Sequence, residues 1–576
     1  METKWDKFYG NHNPVLEIDG DKTVYEAFRD TAQKYPDRIA LEYGKRKFSY
    51  RELLELVDHY ASVLAFEGVG YRDNVILSCR RMPHQIIAYY ALNKIGAAVT
   101  FIMRSASPEE FIKNGPILKA RFMIFAVEIY DKFKEILAHA PLEKIILARS
   151  SDFSLSGEFF NRNIREIKKG ESFDPVIPKS DFDTRVCYWT ELGQGELPEV
   201  HSPVKADDTA VMLMSGTAAG PVNIVKINSR ALNAQASISA FLLGQEPVRV
   251  FSFIRLDFSF GLCFALHTTI LSGNTYLINL QKDFEFTGYD IDRYKPDVIV
   301  GYPQMLTALI DSKNISTKAL SGIKTICSCG NVMSGVDHYM IKNYFEKRGL
   351  HPVIQRLYGI TETCSVCMYI PEEETRPGVL GIPLPGVRMK IIDPENNSER
   401  MTGTNGVIAI DTPAHMSGYA SSEDDTVSVL RELNDNRTWV ISGDIGSEDE
   451  EGIFYYAGTR RRVFDRGGMH VYPQHIEDSI RSLIGVEDCC AVPLKRNGKT
   501  IIKVAVKPEP DYMFSNDKLN DLKDEIDNTC QIEMPEPMRP DEYAFMAYLP
   551  EERYGRVDYE KLIRMFEEEE NEQKDH

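Results

Sequence analysis

Positive charge is in short supply in this chain. Across 576 residues, 67 lysines and arginines face 86 aspartates and glutamates, a formal charge of −19. That excludes a nucleic-acid-coating surface, which needs a basic excess to displace counterions. It does not exclude a nucleotide, which a few local groups can hold. Long apolar runs are missing as well. No uncharged stretch reaches the roughly 20 residues of a spanning helix, and Met1-Glu2-Thr3-Lys4-Trp5-Asp6 lacks the apolar core of a secretion signal. No membrane association and a cytoplasmic location are expected. Cysteine is sparse, ten in the whole chain, too few for a disulfide framework. Cys327-Ser328-Cys329 and Cys364-Ser365-Val366-Cys367 have no histidines at zinc spacing, which predicts buried thiols and no metal cage.

What is present is long alternation of two periods. At 576 residues two or more domains are expected. Thr23 to Tyr35 and Tyr50 to Glu67 read as amphipathic helices, Asp73 to Cys79 as a buried strand, Gln85 to Gly96 as a helix and Ala98 to Met103 as a strand. Such alternation over 22–140, resuming after 207 and running to about 395, predicts α/β doubly wound sheets. Residues 150–207 carry Ser, Pro, Gly and charge and predict a long surface excursion; 397–456 predict a small β subdomain of short strands and turns. From about 460 the pattern changes to a compact α+β module, ending in a solvated, disordered acidic tail at Glu567-Glu568-Glu569-Glu570. The expected division is 1–458 and 459–576.

Arg356-Leu357-Tyr358-Gly359-Ile360-Thr361-Glu362 reads as a strand ending in a tight turn that presents three polar groups. A tyrosine ring can stack on a purine, a threonine hydroxyl can bond a phosphate oxygen, and a carboxylate can hold a magnesium ion. Upstream, Met214-Ser215-Gly216-Thr217-Ala218-Ala219-Gly220-Pro221 is a small-residue turn after a strand, able to bring backbone N–H groups close to phosphates. Further markers follow in order: Ser328-Cys329-Gly330-Asn331, Arg376-Pro377-Gly378-Val379-Leu380-Gly381-Ile382-Pro383-Leu384-Pro385-Gly386, Met416-Ser417-Gly418-Tyr419, Trp439-Val440-Ile441-Ser442-Gly443-Asp444, Gly458-Thr459-Arg460-Arg461-Arg462 and Pro550-Glu551-Glu552-Arg553-Tyr554-Gly555-Arg556.

In this order, from about Thr23 to Leu562, these segments resemble the adenylate-forming (AMP-binding) superfamily: acyl- and aryl-CoA synthetases, luciferases and adenylation domains of peptide synthetases. The resemblance implies a large nucleotide-binding domain followed by a small mobile one, using ATP and Mg2+ and, in the synthetases, coenzyme A. It implies phosphate contacts from Ser215, Gly216 and Thr217, adenine contacts from Gly330, Asn331, Tyr358 and Gly359, and catalytic roles for Thr361 and for Glu362, the magnesium ligand. Asp444 would bind the ribose hydroxyls. Ala218, Ala219, Val222 and Asn223 depart from the phosphate-loop pattern, which has a lysine where Val222 stands; Lys226, four residues on, is the candidate substitute. Asn228 stands where a histidine is common. Thr459 takes the place of an arginine, with Arg460 adjacent; Arg462 takes that of the hinge aspartate, and Arg556 that of the catalytic lysine.

Arg255-Leu256-Asp257-Phe258-Ser259-Phe260-Gly261 falls where the family lines its acyl pocket. One alignment makes Phe258 the gate of an acyl-CoA synthetase; the other makes Asp257 the ammonium ligand of an amino-acid adenylating domain. Tyr302 and Cys329 are further lining. Three readings stay open: an acid–thiol ligase acting on a small-molecule carboxylate, an adenylating partner for a separate carrier protein, and a nucleotide-binding relative without turnover.

Overall fold

The computed structural model describes residues 4–9, 20–79, 81–102, 117–153, 184–215, 223–280, 287–310, 315–330, 333–376, 378–496, 498–513, 515–551 and 557–574. The expected early elements form within one or two residues of the sequence reading. The first amphipathic helix is Val24–Lys34, started by a capping box in which Thr23 and Glu26 bond each other's backbone N–H. The helix Pro83–Ile95 stops at Gly96, whose left-handed φ of 84° suits glycine alone.

The described residues fall into two compact units, one drawn from 1–215, 223–388 and 410–440, the other from 389–409 and 441–576. The first unit contains two sheets. In one, Val186–Tyr188, Lys144–Ala148, Phe122–Ala126, Asn74–Ser78, Ala98–Phe101 and Thr209–Met214 lie side by side in parallel; Ile224–Asn228 and Gly418–Tyr419 continue it antiparallel. In the other, Val353–Ile360, Thr325–Ser328, Val298–Gly301, Arg249–Ser252, Thr275–Leu277 and Ile39–Tyr43 are parallel neighbours. Antiparallel strands flank them, Ser365–Ile370 at one side and Arg46–Ser49 at the other. These strands read as continuous apolar runs because helices cover both faces, which is the doubly wound arrangement.

Three expectations need correction. The excursion over 150–207 is not wholly irregular: Val186–Tyr188 joins the first sheet, and Trp189 behind it is 1% exposed. The segment 397–456 includes a helix, Glu423–Val429, capped by Ser422. The acidic tail is helical from Tyr559 to Lys574. Its Leu562 and Phe566, four residues apart, are buried against Cys490, Val492 and Ala505, and that anchored face carries the helix on through the glutamates. Lys503 sits 4.0 Å over the Phe566 ring and 3.6 Å from Glu569, offsetting part of the acidic charge.

The ten cysteines are thiols, eight of them buried. Buried between helices of the first unit, His267 lies 3.2 Å from the Tyr90 hydroxyl at Nδ1 and 3.2 Å from Asn233 Oδ1 at Nε2. Asn233 Oδ1 can only accept, so Nε2–H donates to it; burial lowers the ring's pKa from 6.5 to about 3 and keeps it neutral, which leaves Nδ1 to accept from the Tyr90 hydroxyl. Between those values the unfolded chain binds a proton that the folded chain refuses. Stability should fall as pH drops below 6.5 towards 3. His267→Gln is expected to flatten this acid limb; urea midpoints at pH 7 and pH 5 that respond alike in both proteins would refute it.

Candidate active site

The strand Val353–Ile360 ends in a turn over Thr361–Thr363 and returns antiparallel as Ser365–Ile370. The reversal demands glycine at 359. A Cβ there would meet the Ser365 carbonyl oxygen at 1.7 Å, and the strand register shifts between Tyr358 and Gly359. Cys364 closes the turn with a left-handed φ of 59°, an expensive backbone for a residue with a side chain. Tyr358 and Thr361 are half-buried, and Glu362 is 6% exposed.

Such a buried carboxylate needs partners. The Tyr419 hydroxyl donates to Glu362 Oε1 at 2.8 Å, and the Met416 N–H donates to the Glu362 carbonyl at 2.8 Å. Burial, and then the negative charge of Glu362, raises the pKa of the Tyr419 hydroxyl, which keeps it a donor. The same segment is tied to the first sheet, since Gly418 pairs with Lys226 and the Ser417 N–H donates to the Lys226 carbonyl at 2.8 Å. Met416–Tyr419 thus straps the strand that carries Lys226 to the turn that carries Glu362. Tyr419 is the contact that the sequence did not disclose.

Ser215 ends the strand Thr209–Met214 and is 4% exposed. Its N–H donates to the Asn223 carbonyl at 2.8 Å, and its hydroxyl accepts from the Asn223 N–H at 3.1 Å. Gly216 and Thr217 lie outside the described residues, as does Asn331. Asn228 caps the helix Ser229–Ser239, its side chain accepting from the Ala231 N–H at 2.9 Å.

The residues expected to line an acyl pocket come together after neighbouring strands. Phe258 meets Tyr302 edge-to-face at 6.2 Å, and the Arg255 guanidinium lies 5.3 Å over the Phe258 ring. Gly330, with φ of 92°, lets Tyr302 approach; a Cβ there would stand 2.4 Å from the ring. Cys329, beside it, is 3% exposed. Asp257 is gripped by Arg255 through two bonds of 2.7 and 3.0 Å. A carboxylate so engaged has its charge matched by a fixed fork.

In the second unit, Asp444 is half-buried on a strand, paired across from Thr459, and its N–H donates to the Ser442 hydroxyl at 3.2 Å. Arg460 and Arg461 are exposed on a turn. Arg462 is not. It pairs with Glu477, which is 2% exposed; one bond is 3.2 Å and the other shorter. It also donates to the Ala491 carbonyl at 3.3 Å and lies 4.8 Å over the Tyr559 ring. Burial works to lower its pKa, but Glu477 outweighs that and leaves it raised. Arg556 lies outside the described residues.

Several known proteins are similar. The long-chain-fatty-acid–CoA ligase of Bacillus subtilis (strain 168) is 22% identical over 571 residues, 96% of this chain and 95% of that protein. The indoleacetate–CoA ligase of Aromatoleum aromaticum is 22% identical over 534 residues, 91% and 94% of the two. Among solved structures, an anthranilate CoA ligase in complex with anthranoyl-AMP superposes with a TM-score of 0.75 at 17% identity, covering 95% of this chain and 98% of the other. A benzoate CoA ligase from Burkholderia xenovorans LB400 gives 0.75 at 17%, covering 94% and 100%. At such identity the structural likeness bears on the fold. The sequence model of the family described as AMP-binding enzyme matches residues 28–420, more than half of the chain and the span that carries the strand, turn and strap just described: this protein belongs to the AMP-binding enzyme family.

Proposed function

We propose that the chain activates a small-molecule carboxylate with ATP and passes the acyl group to a thiol, that of coenzyme A. The carrying observation is Glu362, a buried carboxylate fixed by Tyr419 at the mouth of a strand in a chain of this family. A carboxylate oxygen of the substrate attacks the α-phosphorus, the bond to the β-phosphate oxygen breaks, and pyrophosphate leaves. The thiolate then attacks the acyl carbon and AMP departs. Positioning and neutralisation of charge do most of this work. Ser215, Gly216, Thr217 and Lys226 hold the phosphates; Tyr358, Gly359, Gly330 and Asn331 hold the adenine; Asp444 takes the ribose; Arg460 adds positive charge nearby. A C-terminal domain from residue 459 turning between the two half-reactions, and a cytoplasmic location, belong to the same proposal; among the described residues no helix is long and apolar enough to cross a membrane.

CoA as acceptor is supported by the relatives, whose names are those of CoA ligases. An acid without an ammonium group is supported by Arg255, which already occupies Asp257. The test is ATP–pyrophosphate exchange with fatty, aromatic, dicarboxylic and amino acids, followed by CoA or a pantetheinylated carrier protein. Exchange with a non-amino acid and thioester formed only with CoA is expected. Exchange confined to an amino acid would favour the carrier reading, and no exchange at all would favour a nucleotide-binding relative.

The Glu362 carboxylate with the adjacent Thr361 hydroxyl suits a hard cation such as Mg2+, which takes one or two protein oxygens and otherwise phosphates and water. Among the described residues no three His, Cys, Asp or Glu side chains form a cage. Bound there, Mg2+ would neutralise phosphate charge. Glu362→Gln keeps an oxygen for Tyr419 and should raise the half-saturating magnesium concentration about ten-fold or more while barely moving the melting temperature. Tyr419→Phe should move it the same way by less. If neither variant alters the magnesium dependence, the metal role is wrong.

A further inference from the structure

In a chain with 19 excess negative charges, one open cleft runs against the trend. It has a volume of about 750 Å3 and lies beside Ile39–Tyr43 and the edge strand Arg46–Ser49, drawing on the beginnings of Arg249–Ser252 and Thr275–Leu277 and on Lys295 after the helix Thr287–Tyr294. Phe258 and Tyr302 follow the far ends of Arg249–Ser252 and Val298–Gly301, so this cleft is separate from the pocket they line. Six cations border it: Arg38, Lys45, Lys47, Arg249, Arg293 and Lys295. Only two carboxylates do, Glu42 and Asp297, and both are committed. Glu42, 5% exposed, is shared by Arg249 at 3.0 Å and Lys47 at 3.4 Å. Asp297 accepts from the Arg249 N–H at 2.9 Å and from Lys324 at 3.2 Å.

The cations are also set in place. Arg38 is stacked 4.0 Å over the Tyr35 ring and donates to the Gly273 carbonyl at 3.4 Å. Arg249 donates to the carbonyls of Tyr294 and Lys295, which cancels the negative end of that helix. Lys295 itself has φ of 49°, a left-handed backbone for which glycine is the inexpensive residue.

We infer that this cleft binds a soluble phosphorylated small molecule carrying several negative charges. Its volume lies within the range of small-molecule sites, and the acidic remainder of the protein repels a nucleic acid or an anionic membrane. Calorimetry on the full chain with inorganic tripolyphosphate tests it. The parent should bind. The double variant Arg38→Gln/Lys295→Gly should bind about ten-fold more weakly or worse, while Lys342→Gln, a charge removed elsewhere, should match the parent. Glycine accepts the left-handed backbone at 295, whereas Arg38→Gln gives up the Tyr35 and Gly273 contacts; the melting temperature of the double variant, and of Lys295→Gly alone, checks that both remain folded at the assay temperature. ATP–pyrophosphate exchange should survive in it, so the cleft and the ligase reading fail separately. Tripolyphosphate binding that is absent in the parent, or equal in parent and double variant, would overturn the inference. So would sedimentation with phosphatidylglycerol vesicles that depends on these residues while tripolyphosphate does not bind.

Discussion

Replacing Arg462 with alanine should loosen the second unit by about 3–5 kcal/mol, the usual cost of stranding one charge of a buried pair. Glu477 would keep its bond from the Ala491 N–H at 2.8 Å but lose the guanidinium fork. Tyr559 would lose the cation above its ring. Hydrogen exchange reads the effect locally. Amides of Val486–Arg496 and Lys499–Pro508, which pair with each other in this unit, should exchange roughly 100- to 4,000-fold faster. Amides of the parallel sheets in the first unit should not change. The double variant Arg462→Met/Glu477→Leu should recover much of the loss, because removing both charges leaves neither unpaired. Exchange that is unaltered in the single variant would show that the pair contributes nothing. The sequence resemblance places a pivot at Arg462. The side chain there is anchored to Glu477 and to the Ala491 carbonyl, within the second unit.

Arg556→Ala should slow acyl-adenylate formation by about 100-fold or more, as loss of a charge aimed at the reacting phosphate does. Arg556 stands where the resemblance implies the catalytic lysine of the adenylating step, so thioester formation from preformed acyl-AMP should be little affected. Arg556→Lys should match or exceed the parent rate, unless the site has adapted to the planar fork of arginine. Single-turnover measurements of the two half-reactions separate these outcomes. Robust adenylation surviving Arg556→Ala would remove the catalytic assignment and redirect attention to Lys226.

Periodicity carried most of the first unit. Helices such as Val24–Lys34 and strands such as Asn74–Ser78 have uninterrupted patterns and recognisable caps, and the turn after Ile360 was announced by Tyr-Gly followed by Thr-Glu. The acidic tail misled because its charge drew attention away from Leu562 and Phe566, a buried pair at helical spacing. Val186–Tyr188 is three residues long, below what a pattern can register. The partners within the site were hidden for a different reason. Tyr419 and Glu362 are 57 residues apart in sequence, and only the order of strands brings them together. Arg255 and Asp257 lie two residues apart and could have been paired by inspection. The meeting of Phe258 with Tyr302 follows from the strands before them being parallel neighbours, a fact no local window contains.

The clasp between Ser215 and Asn223 bears on how this sequence changes over generations. Two reciprocal bonds and the pairing of Met214 with Ile224 fix the register of both flanking strands. The groups that fix this register therefore lie outside the interval 216–222. Ala218, Ala219 and Val222, the departures from the phosphate-loop pattern that the resemblance implies, all stand in that interval.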